Sequence, residues 1–123
     1  MKDDYHVEAV GYLRRIESGE AGVTRLLTSD YVVDEVITTI FARTGSFELT
    51  KKYGQAIIES RAIERLPVDE ETFRQSWEYF KRVGDIGISF TDSASATLMK
   101  KKEVNTVFTF DEHFKKLGFN TVP

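Results

Sequence analysis

Short apolar runs alternate with longer segments of helical periodicity along this 123-residue chain. The clearest helical segment follows Thr28, where apolar residues recur at the spacing of one helix face: Val33, Val36, Ile37, Ile40 and Phe41. The runs that predict strands lie at 23–28, 62–67, 106–110 and 119–122. Strands that alternate with helices over short connections form a mostly parallel sheet covered on both faces. We therefore predict an α/β fold with three layers, helix, sheet and helix.

Polar residues and glycines mark the ends of the predicted helices. Ser46 and Asp69 can accept hydrogen bonds from the first turn of the helices that follow them, and Gly45 can end the preceding helix. The predicted helices lie at 4–17, 30–44, 46–60, from Asp69 towards Gly84, 92–102 and 112–117. The order begins with a helix, whereas an α/β unit normally starts with a central strand. The helix at 4–17 therefore has no strand in front of it to pack against.

Two side-chain clusters have both a structural and a functional interpretation. Phe73, Trp77 and Phe80 recur at helical spacing, and we predict that they belong to the core and do not form a base-stacking platform. The three lysines at 100–102 end a predicted helix, where solvated cations favour the negative end of the helix dipole. Contact between these lysines and RNA phosphates is the less favoured alternative.

The length and composition limit the kinds of protein that this chain can be. A chain of 123 residues with no linker or repeat can form one compact domain, which we place at 1–123. It has no cysteine, so a disulfide framework or a thiol nucleophile is excluded. It has no apolar run long enough for a bilayer and no signal-peptide core, so we expect a cytoplasmic protein without membrane contact. The net charge of −3 gives no general attraction to nucleic acid.

Three acidic residues stand where a parallel sheet normally binds its ligands. Glu35 lies on the helix after the strand at 23–28, Asp92 begins a helix, and Asp111 directly follows the strand at 106–110. Taken singly, Glu35 is a solvated helix acid and the two aspartates are helix caps. Taken together, they predict hard oxygen ligands for Mg²⁺ or Mn²⁺ at one rim of the sheet.

Four segments of the sequence resemble the PIN domain family, in particular the VapC-type toxin ribonucleases. They are KDDYHVEAVGYL, TSDYVVDEV, SFTDSASATLM and FTFDEHFKKLGF, and they occur in the family's order along the whole chain. In that family four acids line a catalytic pocket. The resemblance implies that Glu35, Asp92 and Asp111 match three of these acids as catalytic and metal-binding residues. Thr91 and Thr109 stand beside them and are expected to bind or orient a metal-bound water.

The resemblance also implies a function and partners. We expect a Mg²⁺- or Mn²⁺-dependent endoribonuclease that cuts RNA and is normally silenced by a VapB-type antitoxin. The helix pair at 30–44 and 46–61 resembles the family surface that dimerises and receives the antitoxin, so we expect a homodimer. His113 follows Asp111 by two residues, and we predict a surface residue there in preference to a ligand or proton donor.

The chain departs from the family at its first residues. The family begins with a central strand that carries its first catalytic Asp, and Met1 falls after the place of that strand. Asp3 and Asp4 match the following loop and do not replace the absent acid. We therefore expect a PIN-like fold without its usual central strand and weak or absent nuclease activity. Adding about 20 residues, one strand and its turn, should restore activity.

Two alternatives to an active nuclease remain open from the sequence. The first is a non-catalytic PIN module that binds an antitoxin or a like subunit. The second is a plain α/β domain in which the acids are only helix caps. A strand without its neighbour also leaves an open sheet edge, which favours pairing with another chain.

Overall fold

Helices and strands alternate in the computed structural model, which describes residues 25–123. The strands are β1 (Leu26–Ser29), β2 (Ile63–Leu66), β3 (Thr106–Phe108) and β4 (Asn120–Val122). The helices are α1 (Asp30–Thr44), α2 (Phe47–Glu59), α3 (Glu70–Val83), α4 (Phe90–Lys101) and α5 (His113–Lys116), with a 3₁₀ turn at Gly84–Ile86. The helix predicted at 4–17 lies outside the described residues. Every other predicted element is present, with its ends moved by a few residues.

The strands pair in parallel, as predicted. In one pair, β1 lies beside β2 with Leu26 opposite Ile63 and Ser29 opposite Leu66. In the other, β3 lies beside β4 with Thr106 opposite Asn120. The two pairs belong to different compact units, Arg25–Lys102 for the first and, among the described residues, Glu103–Pro123 for the second. The α/β class is thus confirmed, with every described strand in a parallel pair.

Side-chain caps and glycines fix the helix ends that the sequence predicted. Ser46 accepts a hydrogen bond from the backbone N–H of Leu49 at 3.1 Å, and Asp69 accepts one from Thr72 at 2.8 Å. Gly45 ends α1 with a φ of 63°, a left-handed conformation that glycine adopts without steric cost. These local hydrogen bonds satisfy amide groups that have no partner inside the helix.

Helices α3 and α4 pack against each other through small side chains. Ser76 on α3 and Ser93 on α4 are fully buried, and the hydroxyl of Ser93 donates to the carbonyl of Ser76 at 2.7 Å. Ala94 and Ala96 of α4 are also fully buried. Small residues at these positions let the two helix backbones approach closely. The hydroxyl of Ser76 donates in turn to the carbonyl of Thr72 at 2.6 Å, which satisfies a polar group inside the contact.

The prediction that Phe73, Trp77 and Phe80 form the core was wrong. The buried residues of α3 are Thr72, Ser76 and Tyr79, which repeat the same spacing one residue earlier. Phe73 remains 46% exposed and Trp77 48% exposed, while Phe80 is partly buried. The physical reason is the Ser- and Ala-rich surface of α4, which packs closely against Thr72 and Ser76 and leaves Phe73 and Trp77 half exposed beside Phe90.

Candidate functional site

Glu35 lies on the exposed side of α1, one and a half turns after the end of β1. Two neighbours fix the direction of the helix. Ser29 ends the strand and accepts a hydrogen bond from the N–H of Val32 at 3.2 Å, and Val33 is buried. The helix therefore presents Glu35 to solvent near the carboxyl end of β1, the end of a parallel strand at which ligands bind.

Asp92 is the third residue of α4 and is partly buried. Its backbone N–H donates to the hydroxyl oxygen of Ser89 at 3.0 Å, so Ser89 is the N-cap of the helix. The interpretation of Asp92 as a cap was therefore wrong, and the predicted start at residue 92 falls two residues late. A carboxylate in the first turn is still favoured by the helix dipole.

Asp111 follows β3 in a tight turn that precedes α5, and it is partly buried. Its backbone N–H donates to the hydroxyl of Thr109 at 3.0 Å, and its Oδ1 atom accepts from the backbone N–H of His113 at 2.8 Å. The carboxylate thus holds a local turn. The first contact orients the backbone of Asp111, and the second orients its side chain through Oδ1. The interpretation of Asp111 as the cap of α5 was wrong, because the N-cap is Glu112 and has no side-chain hydrogen bond.

The imidazole of His113 adds a contact that the sequence analysis did not anticipate. Its Nδ1 atom lies 2.7 Å from Oδ1 of Asp111, and 30% of the His113 side chain is exposed. The Nδ1 atom itself is buried, and it makes no hydrogen bond with the carboxylate. The contact is therefore electrostatic, attractive when the imidazole is protonated. The sequence feature that could have predicted this contact is the two-residue spacing in Asp-Glu-His, because a turn there brings the imidazole back towards the carboxylate.

A further acid near the end of β1 has a structural role. Asp30, the first residue of α1, pairs with Arg65 of β2 and accepts a hydrogen bond from the N–H of Val68 at 3.1 Å. These contacts tie the end of β2 to the start of α1. Asp30 is therefore used by the fold and is a poor substitute for a metal ligand.

The lysines that end α4 contact α3 while remaining exposed. The ammonium of Lys101 donates to the hydroxyl of Thr72 at 3.0 Å, and that of Lys100 lies 4.1 Å from the centre of the Tyr79 ring. The three lysines at 100–102 are exposed, as predicted. These contacts also hold the two helices together at this end of the pair.

The structure places the predicted acids in two units. Glu35 and Asp92 belong to Arg25–Lys102, and Asp111 belongs to the described part of the other unit, Glu103–Pro123. Neither of these two described segments by itself gathers three or more Asp, Glu, His or Cys side chains into a group that could hold a metal ion. The convergence of the three acids stays a prediction. Their carboxylate oxygens are the donors that Mg²⁺ and Mn²⁺ prefer, so the residue types fit the ion.

No helix within residues 25–123 combines the length and the apolar character that a membrane span requires.

Comparison with known proteins identifies a family and relatives of this chain. The model of the PIN domain family matches residues 2–120. The 23S rRNA-specific endonuclease VapC20 of Mycobacterium tuberculosis, in strains CDC 1551 and H37Rv, is 28% identical over 94 residues, which cover 76% of this chain and 70% of that protein. The crystal structure of VapC20, described as a sarcin–ricin loop cleaving toxin, aligns with a TM-score of 0.73 at 27% identity. The alignment covers 84% of this chain and 78% of the other.

Proposed function

This chain belongs to the PIN domain family, and from that membership we propose that it is a metal-dependent endoribonuclease of the VapC toxin type. The observation that carries the proposal is the family match over residues 2–120, which includes all three predicted acids. The similarity to VapC20, whose name and structure describe an RNA-cleaving toxin, supports the same reaction class.

We assign the metal to the carboxylates of Glu35, Asp92 and Asp111. A bound Mg²⁺ or Mn²⁺ would lower the pKa of a coordinated water and stabilise charge on the phosphate. Glu35 is exposed on α1, and Asp92 lies in the first turn of α4, after the Ser89 N-cap. Asp111 accepts the hydrogen bond of its turn through Oδ1, so we assign Oδ2 to the ion. Thr109 orients the backbone of Asp111 in this arrangement.

We propose that the partners are an RNA substrate in the cytoplasm, a VapB-type antitoxin and a second copy of the chain. The antitoxin surface that the resemblance implied lies on α1 and α2. Large apolar side chains on and between these helices are exposed: Phe41, Phe47, Leu49, Tyr53 and Ile58. Exposed apolar groups in one region favour a protein partner.

An RNA-cleavage assay with Mg²⁺ and with Mn²⁺ tests this function. The substrate is ribosomal RNA, the class named for VapC20. We expect cleavage that chelation stops and that Asp92→Asn reduces at least about a hundredfold, as when a group that stabilises transition-state charge is removed. The matched control is Asp85→Asn, an exposed acid of the 3₁₀ turn. Equal rates for wild type and Asp92→Asn would overturn the assignment.

A second candidate function is a non-catalytic PIN module that binds an antitoxin. It is favoured by the exposed apolar side chains on α1 and α2, which suit a protein partner. In this case the chain would bind an antitoxin peptide and cleave no RNA with either metal. Metal-dependent cleavage that Asp92→Asn abolishes would exclude this candidate.

A further inference from the structure

Two cations from neighbouring helices meet at the ring of one buried tyrosine, Tyr79 of α3. The ammonium of Lys100, in the last turn of α4, lies 4.1 Å from the centre of this ring. The guanidinium of Arg82, in the last turn of α3, lies 5.4 Å from the same centre. Tyr79 is 6% exposed, whereas Arg82 and Lys100 are both exposed. A buried ring thus holds two charged side chains at the protein surface, and we call Arg82 and Lys100 the cation pair.

The cation pair forms no ion pair with any carboxylate among residues 25–123. Glu78 stands one turn before Arg82, but its ion pair is with Lys81, at 3.0 Å. Two positive charges at one ring repel each other, and the ring attracts them without cancelling their charge. An anion that contacts both cations would offset this repulsion. The cation pair therefore favours an anionic ligand.

The surroundings of the cation pair favour a polyanion over a protein partner. The large apolar side chains that α3 exposes are Phe73 and Trp77. Helical spacing places both of them on the other side of α3 from Arg82. A protein interface normally has an apolar core, so these rings and not the cation pair would suit one. Lys and Arg side chains are instead the usual partners of phosphate groups.

The cation pair lies within reach of an RNA strand bound at the proposed metal. Asp92 is in the first turn of α4, and Lys100 follows it by eight residues in the last turn. Eight residues of helix span about 12 Å along the axis. At about 3.4 Å for each stacked nucleotide, a strand covers this distance with a few nucleotides. One RNA molecule can therefore contact both ends of α4.

We propose that the cation pair binds the phosphate backbone of the RNA substrate, a few nucleotides from the phosphate that is cut. The inference deepens the proposed function and rests on its RNA substrate, but it requires neither the metal nor Asp92. Arg82 offers a planar fork of donors and Lys100 a point charge, and both suit phosphate oxygens. Phosphate contacts carry no base information, so the pair contributes affinity and position and does not select a sequence.

Fluorescence anisotropy of the full chain with a labelled single-stranded RNA oligonucleotide tests the proposal. A chelator is present so that no metal-dependent cleavage occurs, and low salt strengthens the phosphate contacts in the absence of the metal. We expect Arg82→Gln with Lys100→Gln to raise the dissociation constant at least about tenfold, because two charge-assisted contacts are lost. The salt dependence should also weaken. The slope of log K against log salt should fall in magnitude by about 1.4, at about 0.7 for each contact with a single strand.

Two further variants separate the cation pair from charge and from folding. Arg43→Gln with Lys52→Gln removes the same two residue types from exposed positions of α1 and α2, so its change in net charge is identical. We expect this control to bind RNA nearly as the wild type does. Arg82→Lys with Lys100→Arg keeps both charges and should retain the wild-type salt slope. Thermal unfolding by circular dichroism verifies that each variant is folded.

Three results would overturn the proposal. The first is a wild-type chain that binds no RNA at low salt. The second is a double glutamine variant whose affinity and salt slope equal those of the wild type, or of the matched control. The third is binding of polyglutamate that depends on the cation pair while RNA binding does not, which would make this a surface for an acidic protein segment.

The outcome is separate from that of the cleavage assay. RNA binding that depends on the cation pair, in a chain that cleaves no RNA with either metal, would support this inference and contradict the nuclease. Metal-dependent cleavage together with RNA binding that ignores the cation pair would contradict this inference and leave the nuclease intact.

Discussion

Ser89 and Asp92 lie about one turn apart at the start of α4 and are joined by a hydrogen bond. Ser89 has a structural role as the N-cap, and Asp92 has the proposed chemical role. The hydroxyl of Ser89 accepts the N–H of Asp92 at 3.0 Å and so satisfies an amide that the helix leaves without a partner. Asp92 contributes its N–H to that bond, and its carboxylate is assigned to the metal. From the sequence alone, aspartate at a helix start is equally compatible with capping and with metal binding.

Substitution of these two residues should have opposite effects. Ser89→Ala removes the cap, and we expect it to lower the free energy of unfolding by about 1 kcal/mol while RNA cleavage is retained. Asp92→Asn keeps the backbone hydrogen bond, so its unfolding free energy should stay closer to the wild-type value while cleavage is lost. Urea denaturation and the cleavage assay measure the two effects. Loss of stability without loss of cleavage in Asp92→Asn would return this residue to a purely structural role.

Asp69 should make the stability of α3 depend on pH. Hydrogen bonds from the backbone N–H and the hydroxyl of Thr72, with a smaller contribution from the charge of Lys101, hold the pKa of Asp69 below its ordinary value of 3.8. A depressed pKa in the folded state stabilises the protein above the unfolded-state pKa. That stabilisation is lost as the pH falls through the folded-state value.

The comparison is with Asp69→Asn, which can still cap the helix but carries no charge. We expect the wild type to have the higher melting temperature at neutral pH and the difference to vanish in acid below the ordinary aspartate pKa. Circular dichroism at a series of pH values measures it. A constant difference across that range would mean that the charge of Asp69 does not stabilise the fold.

Single residues were predictable where their chemistry is local. Ser46, Asp69 and Gly45 act at helix ends as their types indicate, because each needs only the neighbouring turn. The contact between His113 and Asp111 was not predicted, although it also lies within one turn. A two-residue spacing is compatible with several turn geometries, and the sequence does not select among them.

Among the elements, α3 and α4 show how close packing selects a helix face. Two stripes of α3 have the same spacing, the buried residues Thr72, Ser76 and Tyr79 and, one position later, Phe73, Trp77 and Phe80. The helix buries the first stripe because Ser93, Ala94 and Ala96 of α4 leave room for a close approach. Periodicity thus located the helix correctly, but the identity of its partner decided which side is buried.

Enlarging one of these small residues should therefore be costly. Ala94 is fully buried, so Ala94→Leu places a larger side chain in a closely packed contact. We expect this change to lower the free energy of unfolding by about 1–3 kcal/mol. Ala56→Leu on the exposed side of α2 is the matched control and should be nearly neutral. Thermal and urea unfolding of the two variants measure the difference. Equal stabilities would show that α3 and α4 tolerate a wider separation.

At the scale of the whole molecule, the order of elements and the parallel pairing were predictable from alternating strand and helix patterns. The metal site could not be predicted from such local patterns alone, because Glu35, Asp92 and Asp111 are spread over 76 positions of the sequence. These residues belong to two units, so local patterns do not determine their separation. Family membership, which extends over residues 2–120, supports their convergence.

With a net charge of −3, the chain has no general attraction to RNA, so RNA binding requires local basic residues together with the proposed ion. Convergence of the three carboxylates on one ion is therefore the central claim. It is tested most directly by Mn²⁺ titration followed by electron paramagnetic resonance, with no RNA present.

We predict one tight Mn²⁺ site in the wild type. Glu35→Gln, Asp92→Asn and Asp111→Asn should each weaken it at least about tenfold, since even residues that only support metal ligands have effects of that size. Glu59→Gln, an exposed acid on α2, should leave the affinity unchanged. Mn²⁺ binding that is absent, or that responds to one of the three substitutions and not to the others, would contradict a shared site.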